Sequence, residues 1–193
     1  GRQDLCGRDP WRAGGRRQAL AAEPAAAVRI LAISLDLDDT LWPVEPAIRN
    51  AEQRLHDWLT AEHPSVAATY PIAAMRTLRE AIDRERPDLA HDFTAQRLLT
   101  LERAFVACGA GAEHVDAAFE IYYAARNAVE CYPDSVPALT ALAARFPLVS
   151  LSNGNADLAR IGLDHHFQAT ITAREIGFAK PDRRIFEAAC ARL

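Results

Sequence analysis

Two kinds of apolar pattern divide the chain. Ile30–Leu35 and Leu148–Leu151 are short apolar runs with β-branched members, the signature of buried strands. Between them apolar positions recur every three to four residues. Ile48, Ala51, Leu55, Trp58 and Leu59 make one stripe. Ile72, Met75, Leu78 and Ile82 make another, opened by Pro71 and closed by Pro87. Phe93, Leu98, Leu101 and Phe105 form a third, ended by Gly109 and Gly111, and Val115, Phe119, Tyr122 and Tyr123 a fourth. This spacing predicts a four-helix insert over residues 46–131. After Tyr132-Pro133-Asp134 the pattern predicts a helix over 135–145 and the strand at 148–151. A helix over 156–161 closed by Gly162, a weak strand over 167–172, a loop over 176–181 and a helix over 182–193 follow. Strands alternating with helices predict an α/β fold with a parallel, Rossmann-like sheet.

Composition narrows the class. A chain of 193 residues with 50% hydrophobic content can bury a real core. A net charge of −4 gives no footprint for nucleic acid, and no apolar run reaches membrane-spanning length. The cysteines Cys6, Cys108, Cys131 and Cys190 form no CxxC pair, which favours a reduced, cytoplasmic setting. Residues 1–28, rich in Arg, Ala and Gly, are expected to form a disordered tail without a secretory signal. Of 22 basic residues only Lys180 is lysine. A lone ammonium in an arginine-rich chain suggests a place where a compact point charge is wanted.

The chemistry gathers where the first strand ends, at Asp36-Leu37-Asp38-Asp39-Thr40-Leu41-Trp42. In an open α/β sheet the C-terminal ends of the strands form the reaction crevice. Asp36 and Asp38 are two residues apart, so in extended chain they point the same way. Two converging carboxylates repel unless a cation or a shared proton intervenes. That favours a hard metal such as Mg²⁺. The plainer alternative is a strand running into an acidic turn. The second strand also ends in polar groups, Ser152-Asn153-Gly154-Asn155. His165-His166 invites a metal reading, but neighbours on a helix do not face each other and no ligand set lies nearby in sequence.

Asp36-x-Asp38-x-Thr40, Ser152 followed by Asn153-Gly154, and Lys180-Pro181-Asp182 before Ile185-Phe186 resemble, in order, three motifs of the haloacid dehalogenase-like (HAD) hydrolase superfamily. The resemblance covers about residues 29–193. It implies a discontinuous core, 29–45 with 132–193, and a helical cap at 46–131. It implies a Mg²⁺-dependent phosphatase acting on a small phosphorylated metabolite. Asp36 would be the nucleophile, Asp38 the proton carrier and Lys180 the charge-neutralising cation. Ser152 and Asn153 would bind the phosphoryl group, with Thr40 supporting the loop. Asp36 and the Asp38 backbone carbonyl would hold the metal. The text around Trp42-Pro43 is similar to the subgroup that dephosphorylates flavin mononucleotide and the phosphorylated ribitylaminouracil of riboflavin synthesis. The second Asp favours phosphate esters over halides, because halide departure needs no proton and dehalogenases of this superfamily lack it.

The family's fourth motif, Gly-Asp-x-x-x-x-Asp, does not follow Lys180 before Leu193. The sequence therefore reads as a fragment or truncated gene product, a sheet missing its last strands, with weakened Mg²⁺ binding and little activity. A phosphomutase or a 2-haloacid dehalogenase on the same scaffold, or a non-catalytic binding fragment, are the alternatives.

Overall fold

Three parallel strands carry the site. In the computed structural model, which describes residues 29–193, they are β1 (Ile33–Leu35), β2 (Leu148–Ser152) and β3 (Ala169–Thr172) in the order β1-β2-β3. Ile33 pairs with Leu148 and Leu35 with Ser150, while Val149 pairs with Ala169 and Ser152 with Thr172. The tail reading for residues 1–28 lies outside the described residues. Among the described residues no helix is long and apolar enough to cross a membrane.

β2 is buried at all five positions, and its alternation feeds two cores. Leu148 packs with Leu139, Leu158 and Leu163 on one face of the sheet. Val149 and Leu151 pack with Ile171, Ile185 and Ala189 on the other. Helix α6 (Ser135–Ala143) and the short α7 (Leu158–Ile161) thus cover one face, and α9 (Arg183–Ala191) the other. This is the layered α/β arrangement that a parallel sheet needs.

β1 departs from the sequence reading. The apolar run predicts a buried strand over 30–35, yet the strand spans only Ile33–Leu35 and sits at the sheet edge with β2 as its partner. Ser34 is exposed, Ile33 and Leu35 are half-buried, and Leu31 is exposed. Among the described residues β2 is the one strand paired with β1, the open edge that a sheet without its last strands is expected to show.

The segment from 44 to 126 is helical: α1 (Val44–Glu62), α2 (Pro64–Thr69), α3 (Ile72–Glu85), α4 (Phe93–Ala107) and α5 (Val115–Arg126). Leu55 and Leu59 of α1 share a core with Leu101 and Phe105 of α4 and Ala118 and Tyr122 of α5. The spacing missed α2. Pro64 ends α1 at His63 because it disfavours helical geometry in the preceding residue, and it then opens the next turn. The short α8 (Ala173–Ile176) was also unread, although Thr172-x-x-Glu175 has the form of a capping box and Thr172 Oγ1 accepts from the Glu175 N–H. Where the helical segment rejoins the sheet, the Leu41 carbonyl accepts from the Tyr132 N–H and the Ser135 hydroxyl at 2.9 and 2.8 Å.

Candidate active site

A tight turn after β1 places the acids. Leu37 is fully buried, so it anchors the backbone between Asp36 and Asp38 while both acids keep some access to solvent. Asp39 adopts φ = +58°, left-handed geometry that Asp and Asn tolerate better than other residues. Its Oδ1 accepts from the Val44 N–H at 2.9 Å, tying the turn to the start of α1. The Asp39 N–H donates to the Trp42 carbonyl at 2.8 Å, and Thr40 and Leu41 donate to the Leu37 carbonyl.

Each carboxylate has its own cation. Lys180 Nζ lies 2.7 Å from Asp36 Oδ2, and Asp36 Oδ1 accepts from the Leu37 N–H at 2.8 Å. Asp38 faces Arg126, the last residue of α5, whose Nη2 donates to Oδ1 and Oδ2 at 2.6 and 2.7 Å. Trp42 Nε1 donates to the same Oδ1 at 2.8 Å. The repulsion anticipated between Asp36 and Asp38 is thus relieved by two separate side-chain cations. Arg126 and Trp42 are shut off from solvent, with the Arg126 side chain 1% exposed against 20% for Asp38. Arg126 Nε and Nη1 have no partner among the described residues.

The polar end of β2 closes the site. Ser152 Oγ accepts from the Gly154 N–H at 3.0 Å. Gly154 runs so close to Asp38 that a Cβ there would collide with Asp38 Oδ2, which is why no side chain fits. Asn153 clasps the loop carrying Lys180: its Nδ2 donates to the Lys180 carbonyl at 3.1 Å, and the Lys180 N–H donates to its Oδ1 at 2.7 Å. Lys180 Nζ also donates to the Leu151 carbonyl at 2.8 Å, so the ammonium spans β2 and Asp36. Asp182 accepts from the Arg184 N–H and guanidinium to start α9, and those bonds hold its carboxyl at about 2. Asp36, Asp38, Ser152, Asn153 and Lys180 therefore converge. Thr40 is exposed beside them.

The loop after β2 is also fastened to the helical segment. The Asp157 N–H donates to Asn127 Oδ1 at 2.7 Å, and Asn155 Nδ2 to Thr94 Oγ1 at 3.4 Å. Tyr123 beside this loop has its phenol pushed upward, first by burial and then by Asp157. His165 and His166 stand apart, in the single turn Asp164–His166. Their rings nevertheless lie 4.1 Å apart between centroids.

Among the described residues no group of three or more His, Cys, Asp or Glu side chains forms a metal cage. The Asp38 carboxylate is taken by Arg126 and Trp42. The Asp36 carboxylate is the more open of the two, 44% exposed, at the mouth of the cleft. One carboxylate with backbone oxygen, water and phosphate oxygens is the kind of donor set Mg²⁺ accepts, so the residues present fit that ion.

Sequence reasoning missed Arg126. It lies in a stretch whose apolar spacing announces a packing helix, and its partner Asp38 is 88 residues away. The spacing predicts this helix to run to about Val129; it ends at Arg126 with Asn127 as its cap, so the arginine sits at the helix end beside the strands.

The haloacid dehalogenase-like hydrolase family profile matches residues 30–193. The 5-amino-6-(5-phospho-D-ribitylamino)uracil phosphatase YigB of Escherichia coli K12 is 31% identical, over 79% of this chain and 66% of its own length. The glyceraldehyde 3-phosphate phosphatase of Methanopyrus kandleri is 28% identical, over 85% of this chain and 70% of its own. The chain thus spans about two thirds of the length of these curated relatives. The crystal structure of a 2-haloacid dehalogenase from Pseudomonas syringae pv. Tomato DC3000 superposes with a TM-score of 0.79 at 34% identity, covering 85% of this chain and 73% of that one.

Proposed function

This chain belongs to the haloacid dehalogenase-like hydrolase family, and we propose that it hydrolyses a phosphate monoester of a small metabolite through a phosphorylated Asp36. The observation that carries the reading is the convergence of Asp36, Asp38, Ser152 and Lys180 at the strand ends. Phosphoryl transfer is governed by positioning and charge neutralisation more than by covalent novelty. An Asp36 oxygen attacks phosphorus as the ester P–O bond breaks. Lys180, held by Asn153 and the Leu151 carbonyl, offsets the charge on Asp36 and on the transferring group. The Ser152 hydroxyl turns to donate to a phosphoryl oxygen.

Asp38 carries the proton. Its Oδ1 already accepts from both Trp42 and Arg126, whereas Oδ2 accepts from Arg126 alone. Oδ2 is therefore the atom that gives a proton to the departing alcohol. It then takes one from the water that attacks phosphorus and frees Asp36. Mg²⁺ held by Asp36 and the Asp38 carbonyl would supply charge stabilisation to the phosphoryl oxygens. The relatives named as phosphatases support this reading, and their names suggest phosphorylated metabolites as the substrate class.

A 2-haloacid dehalogenase is the second reading, favoured by the likeness to the Pseudomonas syringae enzyme. Asp38 weighs against it, because displacing halide requires no proton donor. The test is Mg²⁺-dependent release of p-nitrophenol from p-nitrophenyl phosphate, lost by a factor of roughly a thousand in Asp36→Asn. Release that survives this substitution, or halide release from 2-chloropropionate without any phosphatase activity, rejects the phosphatase.

A further inference from the structure

A cavity of about 330 Å³ opens from Asp38 and Gly154 upward between α1, α3, α4 and α5. Asp38 and Gly154 line it, whereas Asp36 and Lys180 do not. Its charged wall is Asp38, Glu52, Arg79, Arg97 and Arg126. The two acids are already neutralised. Asp38 is held by Arg126, and Glu52 accepts from Nε and Nη2 of Arg76 at 2.9 and 2.5 Å. The remaining two arginines are not. Arg97 is 5% exposed, its Nη2 donates only to the neutral Tyr122 hydroxyl at 3.1 Å, and its guanidinium lies 4.1 Å from the centre of that ring. Arg79 on α3 is half-buried. Among the described residues no carboxylate is in ion-pairing range of either. Buried charge without a counter-ion is costly, and an arginine fork suits carboxylate and phosphate oxygens.

We propose that this cavity selects esters whose leaving group bears a second anionic group, seated on Arg97 and Arg79. This rests on the phosphatase reading and names its substrate class. Two excess positive charges in a space this small favour a short acid over a bulky neutral leaving group. The second group is a carboxylate or another phosphate; both share the oxygens that a guanidinium binds.

Calorimetric binding to the full chain, without added Mg²⁺ so that no ester turns over during the titration, tests it with three small esters: 2-phosphoglycolate, ethane-1,2-diyl bisphosphate, and 2-hydroxyethyl phosphate, whose leaving group is uncharged. At least one of the two esters with a second anionic group is expected to bind about tenfold more tightly than 2-hydroxyethyl phosphate, and which of them does so identifies the second group. In Arg79→Gln, at a half-buried position, that preference is expected to shrink to about threefold or less; Arg97→Gln reports the buried partner if it folds. Equal affinities in the wild type, or an unchanged preference in Arg79→Gln, overturn the proposal. Affinity is independent of turnover, so the two readings fail separately. A chain that prefers the anionic esters but releases no phosphate sinks the phosphatase, and one that turns over while binding all three alike sinks this pocket.

Discussion

Asp38 illustrates how a residue's role is set by what the fold brings to it. By itself it is an exposed-loop carboxylate; in place it accepts three hydrogen bonds, from Trp42 and twice from Arg126. Those bonds fix which oxygen is free to exchange a proton. Arg126→Met is expected to release this carboxylate and cut turnover of esters with poor leaving groups by on the order of a hundredfold. p-Nitrophenyl phosphate, whose leaving group needs little protonation, should be affected much less. Equal losses on both substrates would show that Arg126 supports the fold and not the proton carrier. Asp36 and Lys180 were legible from the string of residues, because a strand ending in acids and a lone lysine are both local signals. Arg126 was not, since its meaning arises only when α5 returns to β1. The Lys180 loop shows the intermediate case: the motif marks it, but the reciprocal Asn153 clasp is a tertiary fact.

At the scale of elements, periodicity located the long helices and Pro or Gly their ends, as with Gly162 at φ +84° closing α7. It failed on α2 and α8, whose four to six residues are too short to show a repeat, and on how deeply β1 is buried. The α1–α2 junction carries a pH dependence of its own. His63 sits between Trp58, Phe105 and His114, with ring centroids 5.0, 5.0 and 4.4 Å away. Burial, and then His114, hold its pKa below 6.5, with Glu62 opposing. The unfolded chain takes up this proton at the ordinary value, the folded chain only at lower pH. Stability is therefore present above pH 6.5 and declines as pH falls below it. His166, lowered by burial and His165, acts with the same sign. Thermal unfolding at pH 7.5 and 5.5 should show a lower Tm at the acidic value and a smaller difference in His63→Phe. An identical difference in that variant would place the effect elsewhere.

For the whole molecule, the three strands fix where chemistry can happen and the helical segment fixes what surrounds it. β2 is the pivot: its interior positions build both cores, and its last residues present Ser152 and Asn153 to the groups arriving from β1 and from the Lys180 loop. The parallel α/β architecture was readable because alternating strands and helices leave few other ways to bury both faces of a sheet. The charge of the upper cavity was not readable, because Arg79 and Arg97 look like ordinary exposed helix positions until their neighbours are paired off. What distinguishes a phosphatase here from a dehalogenase or an inert binding module is a covalent bond to one atom group. Acid quenching of the chain during turnover of a phosphate ester, followed by peptide mass analysis, reads that bond. The expected outcome is one phosphoryl group on the peptide containing Asp36, labile to hydroxylamine and missing in Asp36→Asn. Turnover with no such adduct, or an adduct on any other residue, would mean that Asp36 is not the nucleophile.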